Sequence, residues 1–206
     1  MEIFETQFSG IHCKRKEELM KLFLASKSPR RRQLLMQLGI PVEIVDIDVD
    51  EVVPPATSVD IVASSLALFK SKGYKKPLCD GEVLVTADTV VVHRGELLGK
   101  PHSRDEALAM LGSLSGDVHT VYTGVCLRSC RRQVVFSEHT DVFFRRLDKS
   151  ILEHYVDMGT CMDKAGAYGI QEWIGMVGVE RIEGCYYNVM GLPLSRLYSE
   201  LTSAEW

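Results

Sequence analysis

Two kinds of apolar pattern run along the chain and predict strands and helices. Uninterrupted or alternating apolar runs predict strands over 22–25, 42–47, 82–92, 118–127, 133–146 and 176–182, with a short further strand after a turn at 94–95. Helix-spaced apolar residues and capping signals predict helices from Pro29, from capping boxes at Thr57 and Ser103, from about Lys149, and after Pro193. Because these elements do not alternate strictly, we predict an α/β fold with a mixed central β-sheet flanked by helices.

The same pattern predicts one folded unit. Residues 1–20 are polar and lack the apolar stretch of a secretory leader, so we expect a polar N-terminal extension there. Residues 21–206 contain no internal repeat, low-complexity tract or long linker. We therefore predict a single domain with a cleft over 21–206, long enough to bury a core without disulfides or structural metal.

Three consecutive arginines follow the first predicted strand, at the start of the first helix. Ser28 is a good N-cap and Pro29 suits the first helical turn, which places Arg30, Arg31 and Arg32 near free N–H groups. Each cation opposes the helix dipole there by a few tenths of a kcal/mol, up to about 1, and a bound anion removes that conflict. We interpret the segment as a phosphate-binding loop; the alternative is that the arginines face solvent or pair with surface carboxylates.

Composition narrows the class of ligand. A net charge of −4 argues against nucleic-acid binding through bulk electrostatics, and a basic loop on an acidic protein indicates a small anionic ligand. The six cysteines form no C-x-x-C pair and the histidines are scattered, so we expect reduced thiols, a cytoplasmic location and no zinc cluster. No apolar run reaches the roughly 20 residues of a membrane span, so we expect no membrane partner.

Acidic and basic side chains outside the arginine loop complete a candidate catalytic set. Asp88 lies in a run, 83–92, that otherwise resembles a buried strand, where a carboxylate is costly unless it is paired, binds metal or opens into a cleft. Asp50 and Glu51 offer the oxygen ligands that magnesium prefers, although acidic residues beside a Pro-Pro turn are usually just solvated. Lys100, between glycine and proline, is either aimed at a phosphate or an ordinary surface lysine.

A glycine-rich loop over 163–171 brings polar groups to a backbone that can approach a ligand closely. Asp163 and Lys164 form a charge pair beside Gly166 and Gly169. Gln171 carries the amide donor and acceptor needed to recognise a base edge, unless it is merely solvent-exposed. With the lysines and Asp88, these groups suit phosphoanhydride hydrolysis, whereas kinase, dinucleotide-binding and serine-hydrolase motifs are absent from the sequence.

The order of these motifs resembles that of one enzyme family. The matching segments are Leu24-Ala25-Ser26-x-Ser28-Pro29-Arg30-Arg31, Leu66-Ala67-x-x-Lys70, Ala87-Asp88-Thr89, Leu98-Gly99-Lys100-Pro101, Met110-Leu111-x-x-Leu114-Ser115-Gly116, 163–171 and Gly191-Leu192-Pro193-Leu194. In this order and spacing the chain, from about Leu22 to Leu201, is similar to the Maf-like nucleoside triphosphate pyrophosphatases.

The resemblance implies a fold, a reaction and a set of site residues. It implies an inosine-triphosphatase-like fold of two lobes with a central cleft, often as a homodimer, and hydrolysis of a nucleoside triphosphate between the α and β phosphates with Mg²⁺ or Mn²⁺. By the same resemblance Asp88 is the proton acceptor, and the metal is expected at Asp88 with Asp50 or Glu51. The residues expected to bind substrate are Ser26, Arg31, Lys70, Lys100 and Lys164.

The resemblance also bears on the base. The branch of the family that prefers dTTP and UTP resembles this chain at Arg30, Thr89 and Gln171, although 49–51 looks more like the branch that acts on 7-methyl-GTP. A dTTP/UTP pyrophosphatase, with modified pyrimidines as further substrates, is therefore the leading hypothesis. The alternatives are a 7-methyl-GTP pyrophosphatase and a nucleotide-binding regulator of cell division with little turnover.

Overall fold

A mixed β-sheet forms the centre of the computed structural model, which describes residues 20–47, 49, 58–203 and 206. Within these residues its seven strands are β1 (Lys21–Leu24), β2 (Val42–Ile44), β3 (Glu82–His93), β4 (Glu96–Leu98), β5 (Val118–Arg128), β6 (Gln133–Phe144) and β7 (Val179–Glu183). Their order is β2-β1-β3-β5-β6-β7, and β4 pairs with the end of β3. Strands β2, β1 and β3 are parallel and all other pairs are antiparallel, which confirms the predicted mixed sheet.

Helices flank the sheet. They are α1 (Pro29–Met36), α2 (Val59–Gly73), α3 (Arg104–Leu114), α4 (Lys149–Asp157), α5 (Trp173–Gly178), α6 (Tyr186–Met190) and α7 (Leu194–Ser203), with a 3-10 turn at Ala165–Ala167. None of the described helices is long and apolar enough to cross a bilayer.

Two large apolar clusters lie along β3 on either side of Asp88. One contains Val85 and Ala87 of β3 and the buried leucines of β1, α1 and α7. The other contains Val91 of β3 and the buried faces of α3 and α4. Because side chains alternate along a strand, Thr89 lies between the two clusters on their face of the sheet, and Asp88 points to the opposite face, toward Lys70 of α2.

Most predicted elements are present, and local capping explains several of their ends. The Ser28 hydroxyl accepts a hydrogen bond from the Arg31 N–H at the start of α1, and the Ser103 hydroxyl accepts one from the Glu106 N–H at the start of α3. The predicted cap Thr57 lies outside the described residues, and α2 has Ser58 as its N-cap. The extension over 1–20 also lies outside them, apart from Met20.

The predicted strand over 176–182 was partly wrong. Its first half is the end of helix α5, and only Val179–Glu183 is a strand. The backbone N–H of Gly175 bonds to the Glu172 carbonyl, and Ile174 is fully buried while Met176 is 74% exposed. An apolar run of this length does not distinguish one turn of helix from a strand, because tertiary burial of Ile174 decides between them.

Candidate functional site

A cavity of about 940 Å³ opens above the middle of β3, between the loop that leads into α1 and the glycine-rich loop. The predicted catalytic, substrate-binding and specificity residues all line this cavity: Ser26, Arg30, Arg31, Lys70, Asp88, Thr89, Lys100, Lys164 and Gln171. The predicted metal ligands Asp50 and Glu51 lie outside the described residues. The structure therefore brings together side chains that are up to 145 residues apart along the sequence, from Ser26 to Gln171.

Asp88 forms an ion pair with Lys70 on the wall of the cavity. Strand β3 places Asp88 in its centre with 9% of its surface exposed, and the last turn of α2 brings the Lys70 ammonium to Oδ1 of its carboxylate. Each side chain is 12% exposed, so this pair is largely shielded from water. The carboxylate is thus both paired and open to a cleft, which offsets the free-energy cost of burying a charge in an apolar strand.

The three arginines have three different surroundings. Arg31 donates hydrogen bonds from Nε to the Gly191 carbonyl (2.8 Å), from Nη1 to the Ala87 carbonyl (2.9 Å) and from Nη2 to the Thr89 hydroxyl (2.8 Å). Arg30 faces the Asp163 carboxylate at 3.5 Å, whereas Arg32 is exposed. Arg31 therefore fixes the peptide before Asp88 as well as lining the cavity.

The proton of the Thr89 hydroxyl is already committed within the protein. Thr123 donates its own hydroxyl proton to the Asn188 carbonyl, so in the 2.9 Å contact between Thr89 and Thr123 the donor is Thr89. Thr89 therefore has no proton left to donate to a ligand. Arg31 donates to the same oxygen, so part of the acceptor capacity of Thr89 is also used. The sequence carries no signal for Thr123 or Asn188, whose role depends on strand pairing and on the position of α6.

The glycine-rich loop is fastened to the protein at Lys164 and Gly166. The Gly166 N–H bonds to the Gly99 carbonyl at 3.0 Å, which links this loop to the turn that carries Lys100. The Lys164 ammonium contacts the Thr160 carbonyl and the carboxylates of Asp163 (2.7 Å) and Glu172 (2.8 Å). Sequence reasoning missed Glu172, because it lies just after the motif.

Asp163 is ionised more readily than an ordinary aspartate. Burial alone would raise its pKa, but the hydrogen bond from Lys164 and the charges of Lys164 and Arg30 outweigh burial and lower that pKa. The loop therefore contributes a stable negative charge beside the arginine loop.

A buried histidine supports the glycine-rich loop from below. His119 is 2% exposed, and its Nε2 lies 2.7 Å from the Tyr168 hydroxyl of the loop. Burial, together with the nearby charge of His93, lowers the pKa of His119 from 6.5 to about 4, although Asp141 and Asp117 act in the opposite direction. His119 is therefore neutral in the folded protein at neutral pH.

We expect stability to decrease as the pH falls from 6.5 to 4. In that interval the unfolded chain binds a proton at His119 that the folded chain does not, so the free energy of unfolding falls by about 3 kcal/mol. His119→Gln should remove most of this dependence, as measured by urea unfolding at several pH values. If the free energy of unfolding changes equally with pH in the wild-type protein and in His119→Gln, the prediction is wrong.

The donor set for a metal is small within the described residues. No group of three or more His, Cys, Asp and Glu side chains there could hold a metal ion by itself. Asp88 does supply a hard carboxylate at the cavity wall, and magnesium is commonly bound by one or two carboxylates together with substrate phosphates. The site therefore fits a cation that arrives with a phosphorylated ligand better than a resident metal held by protein alone.

Comparisons with known proteins identify relatives of this chain. The family model described as Maf-like protein matches residues 21–204. A dTTP/UTP pyrophosphatase of Bacteroides fragilis is 48% identical, covering 88% of this chain and 94% of the relative, and one of Caldanaerobacter subterraneus is 45% identical, covering 88% of each chain. The solved structure of the Staphylococcus aureus Ham1 protein is 14% identical with a TM-score of 0.41, covering 60% of this chain and 71% of that one.

Proposed function

The chain belongs to the Maf-like protein family, and on that premise we propose that it hydrolyses dTTP and UTP to the monophosphate and pyrophosphate. The observation that carries this proposal is the Asp88 and Lys70 ion pair in a cavity that also presents Arg30 and Lys100. A shielded carboxylate beside several cations is the arrangement that water activation at a polyphosphate needs. Relatives at 39–48% identity carry the name dTTP/UTP pyrophosphatase.

In the proposed mechanism Asp88 accepts a proton from the attacking water. The water oxygen forms a bond to the α-phosphorus. The bond from that phosphorus to the oxygen bridging the α and β phosphates breaks, and pyrophosphate leaves with the electron pair. Lys70 and Lys100 stabilise the charge that develops on the phosphates. Arg31 holds the Ala87 carbonyl, which keeps the Asp88 backbone in place, and its predicted contact with phosphate stays a prediction.

Binding of the triphosphate is proposed at the start of α1. Ser26 and the first turn of α1 line the same cavity as Arg30, where the positive end of the helix dipole favours an anion. Mg²⁺ or Mn²⁺ would be held by Asp88 with the substrate phosphates, and by Asp50 or Glu51 on the sequence resemblance. When bound, the cation supplies further neutralisation of phosphate charge.

Recognition of the base is proposed at the apolar part of the cavity wall. Val91, Tyr168 and Met190 give this part of the wall an apolar character, and Gln171 adds an amide. Uracil and thymine present carbonyl oxygens on either side of a ring N–H, and the amide nitrogen of Gln171 can donate to one of these oxygens. Arg30 and Thr89 remain proposed specificity residues, with Thr89 acting as an acceptor and as the anchor of Arg31.

The cellular setting and the oligomeric state are proposed from the cysteines and from the family resemblance. The six cysteines form no C-x-x-C pair, a spacing that favours reduced thiols, and we propose a cytoplasmic enzyme. We also propose a homodimer on the family resemblance, which light scattering of the purified protein would test.

The decisive assay measures products. Purified protein is incubated with dTTP, UTP, GTP and 7-methyl-GTP in the presence of Mg²⁺ or Mn²⁺, and pyrophosphate and single phosphate are quantified separately. We expect pyrophosphate from dTTP and UTP in preference to the guanine nucleotides. Release of single phosphate would contradict the proposed cleavage site, and a preference for 7-methyl-GTP would assign the chain to the alternative substrate.

A further inference from the structure

Lys164 lines the cavity, but its ammonium is already saturated by the protein. The side chain is 7% exposed, and the ammonium donates to the Thr160 carbonyl, to Asp163 at 2.7 Å and to Glu172 at 2.8 Å. An ammonium has three N–H donors, and here three oxygens receive them. A phosphate would have to displace a buried charge-assisted hydrogen bond, which is costly to lose.

Glu172 extends the contacts of Lys164 into a closed ring. Its second carboxylate oxygen accepts hydrogen bonds from the Tyr155 hydroxyl and from the Thr160 hydroxyl, the latter at 2.9 Å. The Tyr155 oxygen in turn accepts the Gly169 N–H at 3.2 Å. Glu172 does not line the cavity, so the ring holds the glycine-rich loop from the protein side.

The ring contacts Gly169, which lies two positions before Gln171. A Cβ atom placed on Gly169 would lie 2.9 Å from Cδ of Glu172, 3.0 Å from Cε of Lys164 and 3.1 Å from Nε2 of Gln171. These three side chains thus converge on one face of Gly169. Oε1 of Gln171 is buried and makes no hydrogen bond with any described residue, so packing against its neighbours sets the orientation of the amide.

We propose that Lys164 and Glu172 are a positioning pair that fixes the Gln171 amide and so determines which base the enzyme accepts. The proposal rests on the proposed function and deepens it, because it transfers Lys164 from phosphate binding to base selection. It predicts that loss of either member changes the discrimination between nucleotides more than it changes turnover.

The test compares UTP with GTP. We expect Lys164→Met and Glu172→Gln each to lower the ratio of kcat/KM for UTP over GTP by about tenfold, mainly through a higher KM for UTP. The double variant should lose little more than either single variant, because the two residues act through one contact. Lys100→Met is the matched comparison, and we expect it to raise the KM of both nucleotides by the same factor.

The opposite pattern identifies a phosphate ligand. If Lys164→Met raises both KM values equally and Glu172→Gln changes neither, the positioning role is overturned. Should the charge variants fail to fold, Tyr155→Phe removes only the hydroxyl of the ring and must still lower the UTP over GTP ratio; an unchanged ratio in that folded variant also overturns the proposal.

Binding measurements separate this inference from the proposed function. Calorimetry with non-hydrolysable UTP and GTP analogues gives the affinity ratio for each variant without any turnover. A wild-type protein that prefers the UTP analogue but releases no pyrophosphate would contradict the proposed reaction alone. A wild-type protein with no preference between the analogues would overturn the positioning role.

Discussion

Asp88→Asn is expected to reduce pyrophosphate release by about two to four orders of magnitude, the usual contribution of a general base. Asparagine has almost the same shape as aspartate but accepts no proton at neutral pH, so the attacking water loses its acceptor. Lys70, which faces Oδ1 of Asp88, remains in the cavity and can still bind phosphate. Affinity for a non-hydrolysable UTP analogue should therefore persist, and the loss should appear in kcat rather than in KM.

Asp46→Asn is the control for this change. Asp46 also lines the cavity, but it is exposed and has no assigned role in the reaction. Removing one negative charge there tests whether any loss of cavity charge lowers the rate. Equal turnover by Asp88→Asn and the wild-type protein would remove Asp88 from the role of proton acceptor.

The sequence indicated which residues line the cavity more readily than it indicated their contacts. A carboxylate inside an apolar run is conspicuous, and so is a row of arginines after an N-cap, because each conflicts with the local rule for its element. Asp88 and the arginine loop were therefore predictable. The helix start at Ser28 and the one at Ser103 were predictable for the same reason, since capping depends on neighbours along the chain.

The partners of those residues depend on tertiary structure. Arg31 bonds to the carbonyl of Gly191, 160 positions away, and nothing in the local sequence at either end indicates the other. Lys70 has the position of a solvated charge at the end of a helix, yet the packing of α2 on the sheet turns it toward Asp88. Glu172 and Tyr155 were missed because a buried ring of hydrogen bonds has no short sequence pattern.

The approach of α2 to the sheet is set by a glycine, and Gly124→Ala is the second change with a large expected effect. Gly124 of β5 pairs with Asp88 of β3, directly beneath α2. A Cβ atom there would lie 2.2 Å from the carbonyl carbon of Ala63 and 2.2 Å from the nitrogen of Ser64, both backbone atoms of the helix. A backbone cannot move aside as a flexible side chain does, so the helix must shift.

We expect Gly124→Ala to lower the free energy of unfolding by about 3 kcal/mol, at the upper end of overpacking costs. For a chain of this size that corresponds to a fall in Tm of roughly 6–12 °C, measurable by calorimetry. Gly112→Ala is the matched control, because Gly112 lies in helix α3 with nothing within 4 Å of an added Cβ, and alanine is the better helix former.

The same shift should lower the activity of the molecules that remain folded. The Thr86 hydroxyl donates to the Ala67 carbonyl at 2.6 Å and fastens α2 to β3, one turn before Lys70. A helix displaced at Ala63 and Ser64 strains this attachment and moves the Lys70 ammonium away from Asp88. Gly124→Ala is therefore expected to have a lower kcat than the wild-type protein at temperatures well below its Tm. Equal stability and equal kcat in Gly124→Ala and Gly112→Ala would show that the close approach of helix and strand does not set the geometry of the ion pair.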